Sequence, residues 1–359
     1  MGSVKDLLVY KKATESELGV GEFVFSDSKM DDWGEMPDHI PYKGEALCLM
    51  TAWNFEKLRE QGYHSHYQGV QNTPGEPATI NQIVIPPKKI MVSLSRVVKP
   101  EFNDGIFDYS YFVNGRGTIN NFVVPLEVIY RNGAPNGSSL FRTLDNLEKL
   151  GRISDMNRLL SHYGLRTKPN PGDLFPKTGF DFTTKFEPTD IKISDEEAYR
   201  ISGLTREQFS QLESLRQAAV ALVSERAREV GFVDYDGKHE YRLFNGRVEM
   251  ADVFGTLDEN RFMFEGKQVG KEFLRQVYKT EQAEWVADIE RAKIEAKEKR
   301  IKEWKSLVRI QPQKLNPQLI NLVGEMYAAA AEQYTGLKIF GLARNLEKVM
   351  QDLEPFYLK

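Results

Sequence analysis

The stretch from Phe232 to Ala251 admits few folds: Phe232, Val233 and Tyr235 are strand formers, Asn245-Gly246 is a two-residue turn, and Arg247-Val248-Glu249-Met250-Ala251 returns as a second ribbon. Asn-Gly accepts the positive φ of a tight hairpin turn, so the segment predicts two antiparallel strands. The first ribbon carries Asp234, Asp236, Lys238 and Glu240, and Asp252 follows the second. A hairpin brings Lys238, Glu240 and Asp252 near one another. Carboxylates are hard ligands for Mg²⁺ and lysine is a point cation for phosphate, so one reading is a nucleotide-phosphate site. The other is a solvated, charged surface hairpin.

A second segment, Val124 to Ser139, is an apolar strand that delivers Arg131 into a loop holding Gly133, Gly137, Ser138 and Ser139. A forked guanidinium, backbone amides unshielded by side chains and two hydroxyls are the parts of a phosphate cradle. An ordinary strand-to-turn junction uses the same residues.

Composition narrows the class. The 359 residues are 41% hydrophobic and 28% charged, enough for about two domains. A net charge of −4 gives no basic field for nucleic acid. One cysteine, Cys48, excludes an intrachain disulfide or a cysteine zinc cluster. No apolar run reaches membrane-spanning length and the N-terminus lacks a signal-peptide core, so a cytoplasmic protein is expected. The five histidines have no metal-ligand spacing, and no Gly-x-Ser-x-Gly elbow supplies a nucleophile.

Residues 1–125 read as a β-rich lobe, with strands expected at 7–10, 22–25, 83–85, 90–98 and 119–124 and an amphipathic helix at 45–61. Residues 126–280 mix strands with helices at 145–163 and 206–230, the second opened by a Thr205/Gln208 capping box. Residues 281–359 are helical: a long charged helix over 280–307, a linker at 311–317, and helices at 317–333 and 342–353. A homo-oligomer is left open.

In this order, the two phosphate-type segments resemble the SAICAR synthetase family. Further matches are Phe25-Ser26-Asp27, the run from Asp32 to Asp38, Lys43-Gly44-Glu45, Trp53 to Leu58 with Gly62 and His66, Thr183-Thr184-Lys185 with Glu187 and Asp190, and Lys271 to Gln276 with Glu284-Trp285. The resemblance implies an α+β fold with a small β-rich ATP-binding lobe, a larger α/β catalytic lobe and, as in the longer members, a helical C-terminal extension. It implies a reaction in which ATP and Mg²⁺ drive amide formation between the carboxylate of the imidazole nucleotide CAIR and the amine of L-aspartate, through an acyl phosphate.

Roles follow residue by residue. Arg131, Gly137, Ser138 and Ser139 would hold the CAIR phosphate, with Arg261 and Asp32 also on the substrate side. Lys238, with Asp234 or Asp236, would stand at the reacting carboxylate. Glu240 and Asp252 would bind Mg²⁺–ATP, joined on the nucleotide side by Lys11, Lys12 and Lys99. Lys185 and Glu187 would meet aspartate, although an ion pair between those two is the plainer reading of their spacing. The chain departs from the family at Tyr10-Lys11-Lys12, which lacks the usual glycine, at the shortened Ser28–Asp32 loop, and at Val253 and Leu257. These departures keep two alternatives in view: a related ATP-dependent amide ligase of specialised nucleoside metabolism, and a nucleotide-binding homologue without catalysis.

Overall fold

In the computed structural model, which describes residues 4–30, 33–73, 76–103, 106–187, 190–299, 301 and 304–357, two antiparallel sheets meet at the start of one long strand. The chain opens with β1 (Lys5–Lys11) and β2 (Gly19–Phe25), a ribbon of β3 (Lys29–Met30) and β4 (Gly34–Glu35), and helix α1 (Lys43–Glu60). There follow β5 (Tyr67–Thr73), β6 (Glu76–Ala78), β7 (Lys89–Leu94), a ribbon of β8 (Glu101–Asn103) and β9 (Ile106–Asp108), and short α2 (Ser110–Asn114). The first sheet has the order β1-β2-β7-β5-β6. Gly19 and Gly21 serve strand contact, since a Cβ on them would lie 2.4 Å from the Lys11 carbonyl oxygen and 2.6 Å from that of Leu8. Ile83–Ile85, expected as a strand, is not one. Pro86 and Pro87 follow it without N–H donors, and Val84 is 83% exposed.

The second part comprises β10 (Phe122–Gly133), α3 (Ser139–Lys149), α4 (Ile153–His162), β11 (Leu174–Thr184), β12 (Lys192–Ile193), α5 (Asp195–Ile201), α6 (Arg206–Glu229), β13 (Phe232–Phe244), β14 (Arg247–Ala251), β15 (Asn260–Phe264) and β16 (Lys267–Gln268). Its sheet runs β12-β11-β10-β13-β15-β16, with β14 paired to the far half of β13 across the Asn245-Gly246 turn. Strand β10 passes through residue 125, where the lobe boundary is expected. Pro125 has no N–H to give, and the β10–β13 ladder is broken between Val123 and Glu127 to accommodate it. Arg96 bridges to Phe122 and so ties the first sheet to the base of β10. The helix expected over 145–163 is divided into α3 and α4 at Gly151, whose φ of 65° only glycine adopts readily.

The C-terminal region is helical: α7 (Lys271–Glu281), α8 (Ala283–Glu298), α9 (Pro317–Thr335) and α10 (Leu346–Leu353). The single long helix expected over 280–307 is not formed. Gln282, with φ of −133°, separates α7 from α8, and Trp304–Leu307 is a separate 3₁₀ turn. Helix α9 opens with the Asn316 cap and Pro317 and closes at Gly336 in the left-handed region. It packs against α1, and residues Ala46–Phe55 of α1 are buried on every side. The amphipathic character expected for α1 is therefore absent, because the C-terminal helix covers the face that would otherwise meet water.

Candidate active site

Register on β10 and β13 builds the site. Three pairs, Glu127 with Glu240, Ile129 with Lys238 and Arg131 with Asp236, face one another across the ladder. Side chains alternate along a strand, so these pairs share one face, while Val128, His239 and Tyr130 are buried on the other. At ~3.3 Å per residue, the carboxylate end at Glu127 lies ~13 Å from Arg131, with Lys238 between. Asp234 does not join them. The β13–β15 pairing slips between Asp234 and Gly237, and the bulge returns Asp234 to the buried face. There it accepts hydrogen bonds from Tyr130 Oη (2.7 Å), Ser224 Oγ (2.8 Å) and Asn260 Nδ2 (2.9 Å). Burial pushes its carboxyl up to about 7 against those donors. Asp234 is thus placed as a structural centre beneath the cleft floor.

At the carboxylate end, lysines and acids alternate. Lys238 Nζ lies 3.3 Å from Glu127, 3.8 Å from Glu240 and 3.9 Å from Glu259. Lys185 is bonded to Glu240 and stands 3.8 Å from Glu127. Lys5, from β1, meets Asp252 at 2.5 Å and so brings the first sheet over the cleft. Burial raises the Glu127 carboxyl to about 8, helped by Glu240 and opposed by Lys238 and Lys185. Burial opposes the charge on Asp252, but Lys5, Lys185 and Lys238 outweigh it and hold the carboxyl well below the usual range. Lys185 is likewise penalised by burial, yet Glu240, Asp252 and Glu127 hold it above the ordinary lysine value. Asp252 adopts φ of 60°, and His66 Nε2 donates to its carbonyl oxygen at 2.7 Å, fixing this left-handed position. Among the described residues, no three His, Cys, Asp or Glu side chains form a metal cage.

At the other end, Arg131 Nη2 donates to Ser139 Oγ at 3.3 Å, and the guanidinium lies 3.7 Å from Asp181 and 3.8 Å from Asp236. Its Nη1 is buried without a hydrogen-bond partner. Ser138 caps α3, accepting from the Leu140 N–H, and Gly137 sits at φ of 76°. The N-terminus of α3 therefore opens beside Arg131, a combination suited to an anion. Arg261 forks onto Asp236, with Nε 2.7 Å from Oδ1.

The remaining predicted residues are spread more widely. Lys185 and Glu187 do not pair: Glu187 instead accepts from Tyr109 Oη at 2.7 Å. Lys11, Lys12 and Lys99 are exposed, and among the described residues the ion pair of Lys11 is with Glu17, away from the cluster. Asp32 lies outside the described residues. Val253 is part of the apolar core, and Asp258 is buried against Lys43. Four cleft residues escaped the sequence reading: Glu127, Glu259, Asp181 and Lys5. A signal existed for Glu127, a lone acid in an apolar run, four residues before Arg131 and hence on the same strand face.

The fold and cleft are those of an α+β protein that gathers an anion cradle and a lysine–carboxylate cluster on one sheet face. The model of the SAICAR synthetase family matches residues 23–292, and the chain belongs to that family. It is 36% identical over 353 residues, 98% of each chain, to a candidate phosphoribosylaminoimidazole-succinocarboxamide synthase of Archaeoglobus fulgidus. It is 27% identical over 254 residues to the phosphoribosylaminoimidazole-succinocarboxamide synthase of Thermoplasma acidophilum, covering 68% of this chain and 73% of that one. The fold is shared with the SAICAR synthase of Saccharomyces cerevisiae solved with SAICAR, at a TM-score of 0.58 and 17% identity over 94% of this chain and 99% of that one. A SAICAR synthetase solved with ADP superposes at a TM-score of 0.51 and 16% identity, over 77% and 88% of the two chains. The expected helical C-terminal region is present. Among the described residues no helix is long and apolar enough to cross a membrane.

Proposed function

We propose that the chain is a cytoplasmic ATP-dependent ligase of purine biosynthesis, which joins the carboxylate of CAIR to the amine of L-aspartate and releases SAICAR, ADP and phosphate. The observation that carries this reading is the β10–β13 ladder, with an anion cradle at Arg131, a lysine at its middle and paired carboxylates at its far end. A nucleotide monophosphate laid along it puts its phosphate at Arg131, Ser139 and the α3 N-terminus. Its ring carboxylate then reaches Lys238. The ADP and SAICAR carried by structural neighbours support two small-molecule subsites of this kind.

Lys238 neutralises the ring carboxylate while one of its oxygens attacks the γ-phosphorus of ATP, and the broken P–O bond leaves its electrons on ADP. The aspartate amine then adds to the activated carbonyl carbon, loses a proton, and expels phosphate. Glu127, raised by burial to about 8 and beside Lys238, is assigned as the base that takes this proton, a role open only to its ionised form, which is the minor one at neutral pH. Glu187 and Lys185, around the end of β11, are assigned to aspartate. Glu240 and Asp252 are the residues that would hold magnesium: two hard carboxylates suit an ion that keeps water and takes its other ligands from phosphate. Bound there, it would neutralise the triphosphate. Lys5, which holds Asp252, is then available to phosphate oxygens.

The test is ADP release with each component omitted in turn. Full release is expected only with Mg²⁺, ATP, CAIR and aspartate together. Turnover indifferent to both carboxylate and amine would make the protein a plain ATPase, and turnover with a different amine would make it a related amide ligase.

A further inference from the structure

The loop between β14 and β15 carries Asp252 at its start, Glu259 near its end and Arg261 just beyond, so its shape sets the distances within the cleft. Its own hydrogen bonds are few: Asn260 N–H donates to the Thr256 carbonyl oxygen (2.9 Å), Gly255 N–H to Asn260 Oδ1 (3.1 Å), and Glu259 N–H to Thr256 Oγ1 (3.2 Å). The stronger restraints come from outside. Tyr327 Oη, on α9, donates to Asp258 Oδ1 at 2.6 Å, and Lys43 Nζ, at the start of α1, meets Asp258 Oδ2 at 2.8 Å. Tyr334 Oη, also on α9, donates to Asn54 Oδ1 at 2.9 Å. Asn54 Nδ2 passes the restraint on, donating to the carbonyl oxygens of Phe254 (3.1 Å) and Gly255 (3.0 Å).

The geometry is built for this. Tyr327 and Tyr334 are seven residues apart, two helical turns, and Lys43 and Asn54 are eleven apart, three turns, so each pair lies on one face of its helix. Lys43, Asn54, Tyr327 and Tyr334 are all fully buried. A Cβ at Gly255 would stand 2.4 Å from Asn54 Nδ2, so the loop backbone comes as close to α1 as glycine permits. An aliphatic α9 would cover α1 equally well. Two buried hydroxyls, each aimed at a group that holds the loop, go beyond covering, because a buried polar atom is tolerated only where it is satisfied.

We infer that α9 is a positioning element of the active site: Tyr327 through Asp258 and Lys43, and Tyr334 through Asn54, hold the loop that sets Asp252, Glu259 and Arg261. This rests on the ligase reading for its kinetic consequence, though not for the contacts themselves. Neither tyrosine touches the cleft. They act through the loop.

The experiment compares the full-length protein with Tyr327→Phe and Tyr334→Phe, each losing one oxygen and keeping its ring. Amide hydrogen exchange and kinetics are read on samples shown to be folded by their thermal transitions. Exchange at residues 252–261 should accelerate at least about tenfold in Tyr327→Phe while the β10–β11 ladder is unchanged. The kcat should fall by about tenfold or more with the KM for CAIR within about twofold, because misplacement of Asp252 and Glu259 costs rate while Arg131 on β10 and Ser139 on α3, which form the phosphate cradle, are not carried by the loop. A variant whose melting temperature drops while loop exchange and kcat stay at wild-type values would reduce α9 to a brace and overturn the inference. Faster loop exchange in a protein that forms no amide from CAIR and aspartate would uphold the clamp and sink the ligase reading instead.

Discussion

Asp252→Asn should lower turnover by at least about a hundredfold, because it removes the carboxylate that Lys5, Lys185 and Lys238 hold well below the usual range. The change has a second effect. Lys5 has a side chain only 7% exposed and pairs with Asp252, and a buried cation that loses its partner costs about 3–5 kcal/mol. The two effects separate in the double variant Lys5→Met with Asp252→Asn. Replacing both members of a buried pair by uncharged groups is often neutral, so the melting temperature should return toward wild type while turnover stays lost. Recovery of turnover along with stability would show that Asp252 matters only as the partner of Lys5.

Arg131→Ala should raise the half-saturating concentration of CAIR roughly ten- to hundredfold, the worth of a charge-assisted phosphate contact of about 1.5–3 kcal/mol. The half-saturating ATP concentration should stay near wild type, since Arg131 lies ~13 Å along the ladder from Glu127. Initial-rate kinetics with each substrate varied in turn decide it. An effect confined to ATP would reverse the orientation of the two ligands on the sheet.

Much of this site was legible because it depends on local chemistry. Asn245-Gly246 forces a hairpin, the capping box at Thr205 and Gln208 starts α6 where expected, and Arg131 stands near the Gly-Ser loop that begins α3. What escaped depends on register and distance. Asp234 and Asp236 are two apart and look equivalent on a regular strand, but the bulge before Gly237 sends them to opposite faces. Glu127 and Glu240 meet only because β10 and β13 pair in one particular register, across 113 residues of sequence. Lys5 reaches Asp252 from the other end of the chain. The C-terminal helices read as an appendage because helical periodicity reveals an apolar face and not what it covers. In the structure α9 is core, and its tyrosines reach the loop after Asp252, Tyr327 directly and Tyr334 through Asn54.

The central claim is that this cleft activates a carboxylate with ATP before an amine attacks it, and the origin of one oxygen atom tests that most directly. With CAIR labelled by ¹⁸O in its carboxylate, attack on the γ-phosphorus transfers a carboxylate oxygen to the phosphate that is later expelled. Mass spectrometry of the released phosphate should find one ¹⁸O per turnover and the matching loss of one label from the amide product. Unlabelled phosphate released alongside amide would contradict the account, because the carboxylate would then have been activated without ever bonding to phosphorus.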